Sequence, residues 1–378
     1  MNLLYIANAR IPTEKAHGLQ IFKTCEALSA QGEKVILVVP TRRNDLKNQD
    51  PFDFYKVTKN FEVKYLKTVD PTFLLNFPAG LYFKIQTFFF KLSLSRYLIT
   101  HRDQVIYTRD QHLLSLLLKI SKKVVWEVHD LPRNKSKYKH LWYKCDKIIA
   151  ITQGLRDELL QHGVPTYKIL VAPDAVDLRN FDISQSQEEL RKKLNLPLDK
   201  NLIFYTGHLY GWKGAHVLAQ AAKHLSDQEL VCFLGGTDED IKKFKAEFGV
   251  VKNIKILGRV ASFEVPKYLK AADILALPNS ASKKISTHYT SPMKLFEYMA
   301  AGKPIVASAL PSIREILNDT NSVLVEPDDP SQLAVGIQKI LENNDFSRSL
   351  GSQALVDVKK YTWEKRAENI INFIKNET

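Results

Sequence analysis

Three places in this chain put residues together that could do chemistry. The first is Thr290-Ser291-Pro292-Met293-Lys294-Leu295-Phe296-Glu297. Thr290 or Ser291 is a suitable N-cap, Pro292 suits the first helical position, and Gly302 followed by Pro304 stops the helix. Lys294 then lies in the first turn, where free backbone amides already favour an anion, and Glu297 lies one turn further in, where a carboxylate can accept hydrogen bonds from vicinal hydroxyls. Phosphate plus diol is the signature of a nucleotide. On spacing alone the stretch fits an ordinary helix better, with Lys294 and Glu297 on a solvated face.

The second place is Gly207-His208-Leu209-Tyr210-Gly211-Trp212-Lys213-Gly214, a glycine-punctuated loop with one lysine, whose amides suit a pyrophosphate. The third is a set of polar residues after apolar runs: Ala16-His17-Gly18 in the loop 9–19 between the first run and its helix, and Thr108-Arg109-Asp110 and His129-Asp130-Leu131-Pro132 directly after theirs. Polar groups leaving parallel strands gather at the ligand-binding edge of a doubly wound sheet, and a glycine such as Gly18 in a strand-to-helix loop lets backbone approach a ligand.

Short runs rich in β-formers recur along the chain, starting at Leu3, Lys34, Val63, Val105, Val124, Lys147 and Ile169, then at Leu202, Leu230, Ile254, Ile274, Ile305 and Val323. Most alternate with helical periodicity, so the fold class is α/β with two βα series. The stretch 182–200 is polar and broken by proline, which places the boundary near it: a first domain at 1–180, a second at 181–360 and a terminal helical segment at 361–378.

The chain has 378 residues, 45% of them hydrophobic, enough for two cores of ordinary size. Three cysteines, Cys25, Cys145 and Cys232, are too few and scattered for a disulfide framework or a cysteine-rich metal site. With no basic, apolar leader at the start, the expectation is a cytoplasmic protein. Residues 1–180 carry 28 Lys or Arg against 17 Asp or Glu, so nearly all of the net charge of +13 sits in the first half. That half is expected to face something anionic. No helix-turn-helix, RNP-type or zinc-finger pattern accompanies the charge, which argues against nucleic acid. The segment 73–99 is the most aromatic in the chain, but Lys84, Lys91 and Arg96 interrupt it. It is a poor transmembrane span, and reads either as a core helix or as an amphipathic helix on an anionic membrane surface.

The run Glu297-Tyr298-Met299-Ala300-Ala301-Gly302-Lys303-Pro304, with the loop carrying Lys213-Gly214 and the strand-terminal His129, resembles the family 4 glycosyltransferases of GT-B fold. The resemblance covers nearly the whole chain and is weakest over residues 45–100. It implies two Rossmann-like domains facing across a cleft, the last helix crossing back to the first, and retaining, metal-independent transfer of a hexosyl unit from a nucleoside diphosphate sugar. The acceptor would be a glycan or lipid-linked molecule in polysaccharide or glycoconjugate synthesis, reached at the inner face of the membrane. Neither cofactor nor metal is expected.

The same resemblance assigns His129, Lys213 and Glu297 to catalysis. Gly18, His208, Gly214, Val260, Tyr289, Ser291, Met293, Lys294 and Glu297 fall to the donor, and His17 and Arg109 to the acceptor side. Two departures stand out: His208 occupies the place of an arginine, and Tyr289 that of a glutamate eight positions before Glu297. Lys294 is then expected to supply the missing positive charge. Those departures also keep a non-catalytic nucleotide-sugar-binding subunit in view, and the fold admits a nucleotide-sugar epimerase, though general acid and base carboxylates for one cannot be placed.

Overall fold

The computed structural model describes residues 1–72 and 79–376. Phe73 and Phe77 of the aromatic segment lie outside them. The strands are β1 (Asn2–Ile6), β2 (Lys34–Pro40), β3 (Glu62–Leu66), β4 (Val105–Thr108), β5 (Val124–Val128), β6 (Lys147–Ala150) and β7 (Ile169–Val171) in the first sheet. The second holds β8 (Asn201–Thr206), β9 (Glu229–Leu234), β10 (Ile254–Gly258), β11 (Ile274–Leu277), β12 (Ile305–Ser308) and β13 (Val323–Val325). Every run expected from the sequence forms a strand.

All strand pairs are parallel, in the orders β3-β2-β1-β4-β5-β6-β7 and β10-β9-β8-β11-β12-β13. Near-continuous apolar runs such as Val124–Val128 and Ile305–Ser308 are buried throughout, as strands covered on both faces must be. In each sheet the strand order reverses once, between β1 and β4 and between β8 and β11. The carboxyl ends flanking such a reversal are where open α/β sheets bind ligands.

The chain forms two compact units: residues 1–151, 155–173 and 363–378 make the first, and 152–154 with 174–362 the second. The main crossing therefore comes at Pro173–Asp174, before the expected boundary. The polar stretch 182–200 lies within the second unit. Ser186 and Glu189 form a reciprocal capping box on the helix Gln187–Lys193, and Leu190 and Leu196 enter that unit's core. The last helix, Trp363–Lys375, packs in the first unit against the helix Ala16–Ala30.

The aromatic helix Ala79–Leu98 has a buried side and an exposed one. Phe90, Leu94 and Leu98 are buried, while Leu81, Phe83, Phe88 and Leu92, with Ile99 just past its end, are exposed. Among the described residues, no helix is long and apolar enough to cross a membrane.

Candidate functional site

In the second unit the loop after β8, the loop after β11 and the helix Met293–Ala301 bring the expected donor residues together. Gly214 adopts φ +78°, and a Cβ there would lie 1.5 Å from the Pro278 carbonyl oxygen, so glycine is required to seat Lys213 against the end of β11. The Ser280 amide donates to the Trp212 carbonyl at 3.0 Å and ties the two loops. Lys213 Nζ lies 4.9 Å from the Trp212 ring centroid, and burial pulls its pKa down.

Lys294 is buried with its ammonium 4.0 Å from the centroid of Tyr205, and Nζ has no hydrogen-bond partner among the described residues. Burial and the nearby Lys213 hold its pKa well below the usual ammonium range, against the opposing pull of Glu297. Burial raises Glu297 to about 7, with Lys294 restraining the rise. Lys294 thus feels the charge of both Lys213 and Glu297, and the cluster sets two lysines beside one carboxyl.

Tyr205 links this cluster to the loop after β8: its hydroxyl donates to the His208 carbonyl at 2.6 Å. The His208 ring stacks on Tyr210 at 4.8 Å and stands 3.9 Å from the Asp240 carboxylate. Tyr289 is buried, and its hydroxyl likewise has no partner among the described residues.

In the first unit, His17 follows β1, Arg109 follows β4 and His129 follows β5, three strands adjacent in the sheet. Burial, then Arg109, lowers His17 to about 4, with His129 adding to the effect. His129 Nε2 sits 2.6 Å from Oε1 of Glu127, a fully buried carboxylate that also accepts from Gln20 at 2.7 Å. Gln20 in turn accepts from Arg109 at 2.7 Å. His17, Arg109 and His129 therefore form one connected group.

The sequence model of the family described as glycosyl transferases group 1 matches residues 186–356, and that of glycosyltransferase family 4 matches residues 19–180. The chain belongs to the family 4, group 1 glycosyltransferases. Among curated proteins it is 25% identical to an uncharacterized glycosyltransferase of Methanocaldococcus jannaschii over 243 residues, 62% of this chain and 60% of that protein. It is 26% identical to D-inositol 3-phosphate glycosyltransferase of Xylanimonas cellulosilytica over 240 residues, covering 60% and 56%. The chain thus spans less than two thirds of the length of these relatives.

Its fold is GT-B. Sucrose-phosphate synthase of Thermosynechococcus elongatus superposes with TM-score 0.80 at 20% identity over 98% of this chain and 97% of that one. Anabaena HepE in complex with UDP-glucose gives 0.74 at 17% identity over 98% of each.

Some placements differ from expectation. Gly18 is not in a loop: it lies in the helix Ala16–Ala30, and a Cβ on it would meet the Tyr55 hydroxyl at 2.2 Å. The close approach it permits is to Tyr55 and Thr13. The helix after Ser291 starts at Met293, with Pro292 outside it. Ser291 does not cap that helix; its hydroxyl accepts from the Asp174 amide at 2.9 Å. Asp240 closes a capping box with Thr237 on the helix Asp238–Phe248, and Asp329 caps the helix Pro330–Leu341. Val260 follows β10, beyond Gly258 at φ +80°.

Sequence reading missed Glu127 and Tyr205. Glu127 had a signal: a lone acid inside an apolar parallel strand, two residues before His129 and so on the same face. Tyr205 had none, since an aromatic residue in a strand is ordinary core.

Proposed function

We propose that the chain is a retaining, metal-independent glycosyltransferase that moves a hexosyl unit from a nucleoside diphosphate sugar to a glycan or lipid-linked acceptor in surface polysaccharide or glycoconjugate synthesis. The observation that carries this reading is Lys294, a buried ammonium without a hydrogen-bond partner, beside Lys213 and at the start of a helix. A buried cation is costly until an anion meets it, and a diphosphate supplies that anion. Lys213, Lys294 and the first amides of the helix Met293–Ala301 would hold the leaving diphosphate as negative charge builds on it. Glu297 would accept the ribose hydroxyls, Tyr289 and His208 would border the phosphates and sugar, and backbone at Val260 would border the base. His129 would orient the sugar and stabilise positive charge on its anomeric carbon, with His17 and Arg109 serving the acceptor.

The experiment incubates UDP-, GDP-, dTDP- and ADP-sugars with and without candidate acceptors. Acceptor-dependent release of nucleoside diphosphate, undiminished by a chelator and giving product of retained anomeric configuration, supports the reading. Conversion of a sugar nucleotide without any acceptor would point to an epimerase instead.

The exposed Leu81, Phe88 and Leu92, flanked by Lys84, Lys91 and Arg96 in the basic half of the chain, support a peripheral position on the anionic cytoplasmic face of a membrane. Co-sedimentation with anionic vesicles, lost on Phe88→Asp, is the expected result; indifference to the vesicles would remove the membrane from the account.

A further inference from the structure

The Glu127 carboxylate has four donors around it. Oε1 accepts from Gln20 Nε2 at 2.7 Å and faces His129 Nε2 at 2.6 Å, and Oε2 accepts from the Tyr107 hydroxyl and from Arg366 Nη2 at 2.9 Å. Arg366 comes from the last helix, is itself buried, and donates through Nε to the Pro173 carbonyl at 2.9 Å. Burial alone would raise the Glu127 pKa. Arg366 first, then His129 and Arg109, overcome that and hold it well below the usual carboxylate range. An ionised carboxylate only accepts, so His129 Nε2 must carry a proton, and in the neutral ring Nδ1 is then the acceptor.

We propose that Glu127 is a positioning residue for His129, fixing its Nε2–H tautomer, and that Arg366 of the last helix fixes Glu127 in turn. The consequence for turnover rests on the proposed role of His129 in transfer. Glu127→Gln gives a definite expectation. Arg366 can only donate and is charged, which outweighs the neutral Gln20 amide on the other side, so the glutamine carbonyl turns toward Arg366 and its NH2 toward His129, displacing the Gln20 contact. That forces Nε2 to accept and moves the ring proton to Nδ1. A histidine held in the wrong tautomer loses its function without leaving its place.

The test is nitrogen-15 NMR of the histidine rings in the full-length protein, with the His129 signal assigned by its absence in His129→Gln. The expected result is the Nε2–H tautomer in the wild type and Nδ1–H in Glu127→Gln, with kcat down about 100-fold and the donor KM within about threefold. Adding Arg366→Met to Glu127→Gln frees the amide to turn back, and should restore the Nε2–H tautomer and part of kcat, a rescue that a purely structural role would not give. A wild-type ring in the Nδ1–H form, or a folded Glu127→Gln with unchanged tautomer and kcat, overturns the proposal. The wild-type spectrum decides the contact even if Glu127→Gln does not fold. Failure of the functional reading shows separately, as absence of acceptor-dependent diphosphate release by the wild type.

Discussion

The two units share a strand order, the first with β7 added, but differ in the buried charge at the ends of their central strands. In the first, the Glu127 carboxylate is surrounded by Gln20, Tyr107, His129 and Arg366. In the second, Lys294 Nζ, the Tyr289 hydroxyl and Asn279 Oδ1 are buried without hydrogen-bond partners among the described residues. A satisfied network holds a side chain in one orientation before any substrate arrives. An unsatisfied ammonium marks a place whose partner comes from outside. On the proposed function, the first unit serves orientation and the second capture of the anionic donor.

Several changes would break or sharpen that contrast. The largest effect is expected from His129→Ala, which should lower kcat by about 10²- to 10³-fold while leaving donor affinity within about threefold, since its proposed work is in the transition state. Steady-state kinetics with a separate donor-binding isotherm checks it; a large loss of affinity with unchanged turnover would move His129 into the capture half. Gly214→Ala acts on the other side. The left-handed φ and the 1.5 Å approach to the Pro278 carbonyl should cost about 3 kcal/mol in denaturant melts, or displace Lys213 and abolish donor binding if the loop yields.

A smaller effect should follow pH through Glu297. Its folded pKa, about 7, is raised above the ordinary 4.5 by burial, so its contribution to stability is fully present below about pH 4.5 and is lost as pH rises to about 7. Wild type should lose up to about 3 kcal/mol over that window relative to Glu297→Gln. The Glu297-dependent part of donor affinity should run the other way, growing from pH 6 to pH 8 as the carboxylate that accepts ribose hydroxyls forms. Parallel pH profiles for the two proteins would remove Glu297 from the ribose role.

Much of this architecture was legible in the sequence because it rests on local patterns. Apolar β-rich runs ending in polar or glycine residues marked every strand and the functional edge of both sheets. Lys213, Gly214, Lys294 and Glu297 could be found because each sits at a fixed offset from a strand or helix end. Residues whose role depends on distant partners were not legible. Arg366 meets Glu127 across 239 positions, which no periodicity announces. Gly18 looked like a ligand-facing glycine because the residue filling its empty side, Tyr55, comes from elsewhere in the chain. The 182–200 stretch drew the boundary past Pro173–Asp174 because polarity and proline describe a capped surface helix as well as a domain boundary, and only packing shows Leu190 and Leu196 in a core.

The central claim is that Lys294 is an ammonium awaiting the donor diphosphate, and thermal unfolding of wild type and Lys294→Met with UDP, GDP, dTDP, ADP and their sugar conjugates tests it most directly. Methionine removes the buried charge and keeps the apolar stem, so the variant without ligand should be at least as stable as wild type. One nucleotide series at about a hundredfold excess over its dissociation constant should stabilise wild type by about 2.7 kcal/mol, and that gain should disappear in the variant. A variant that is strongly destabilised without ligand, or that keeps the full nucleotide-induced gain, would contradict the claim.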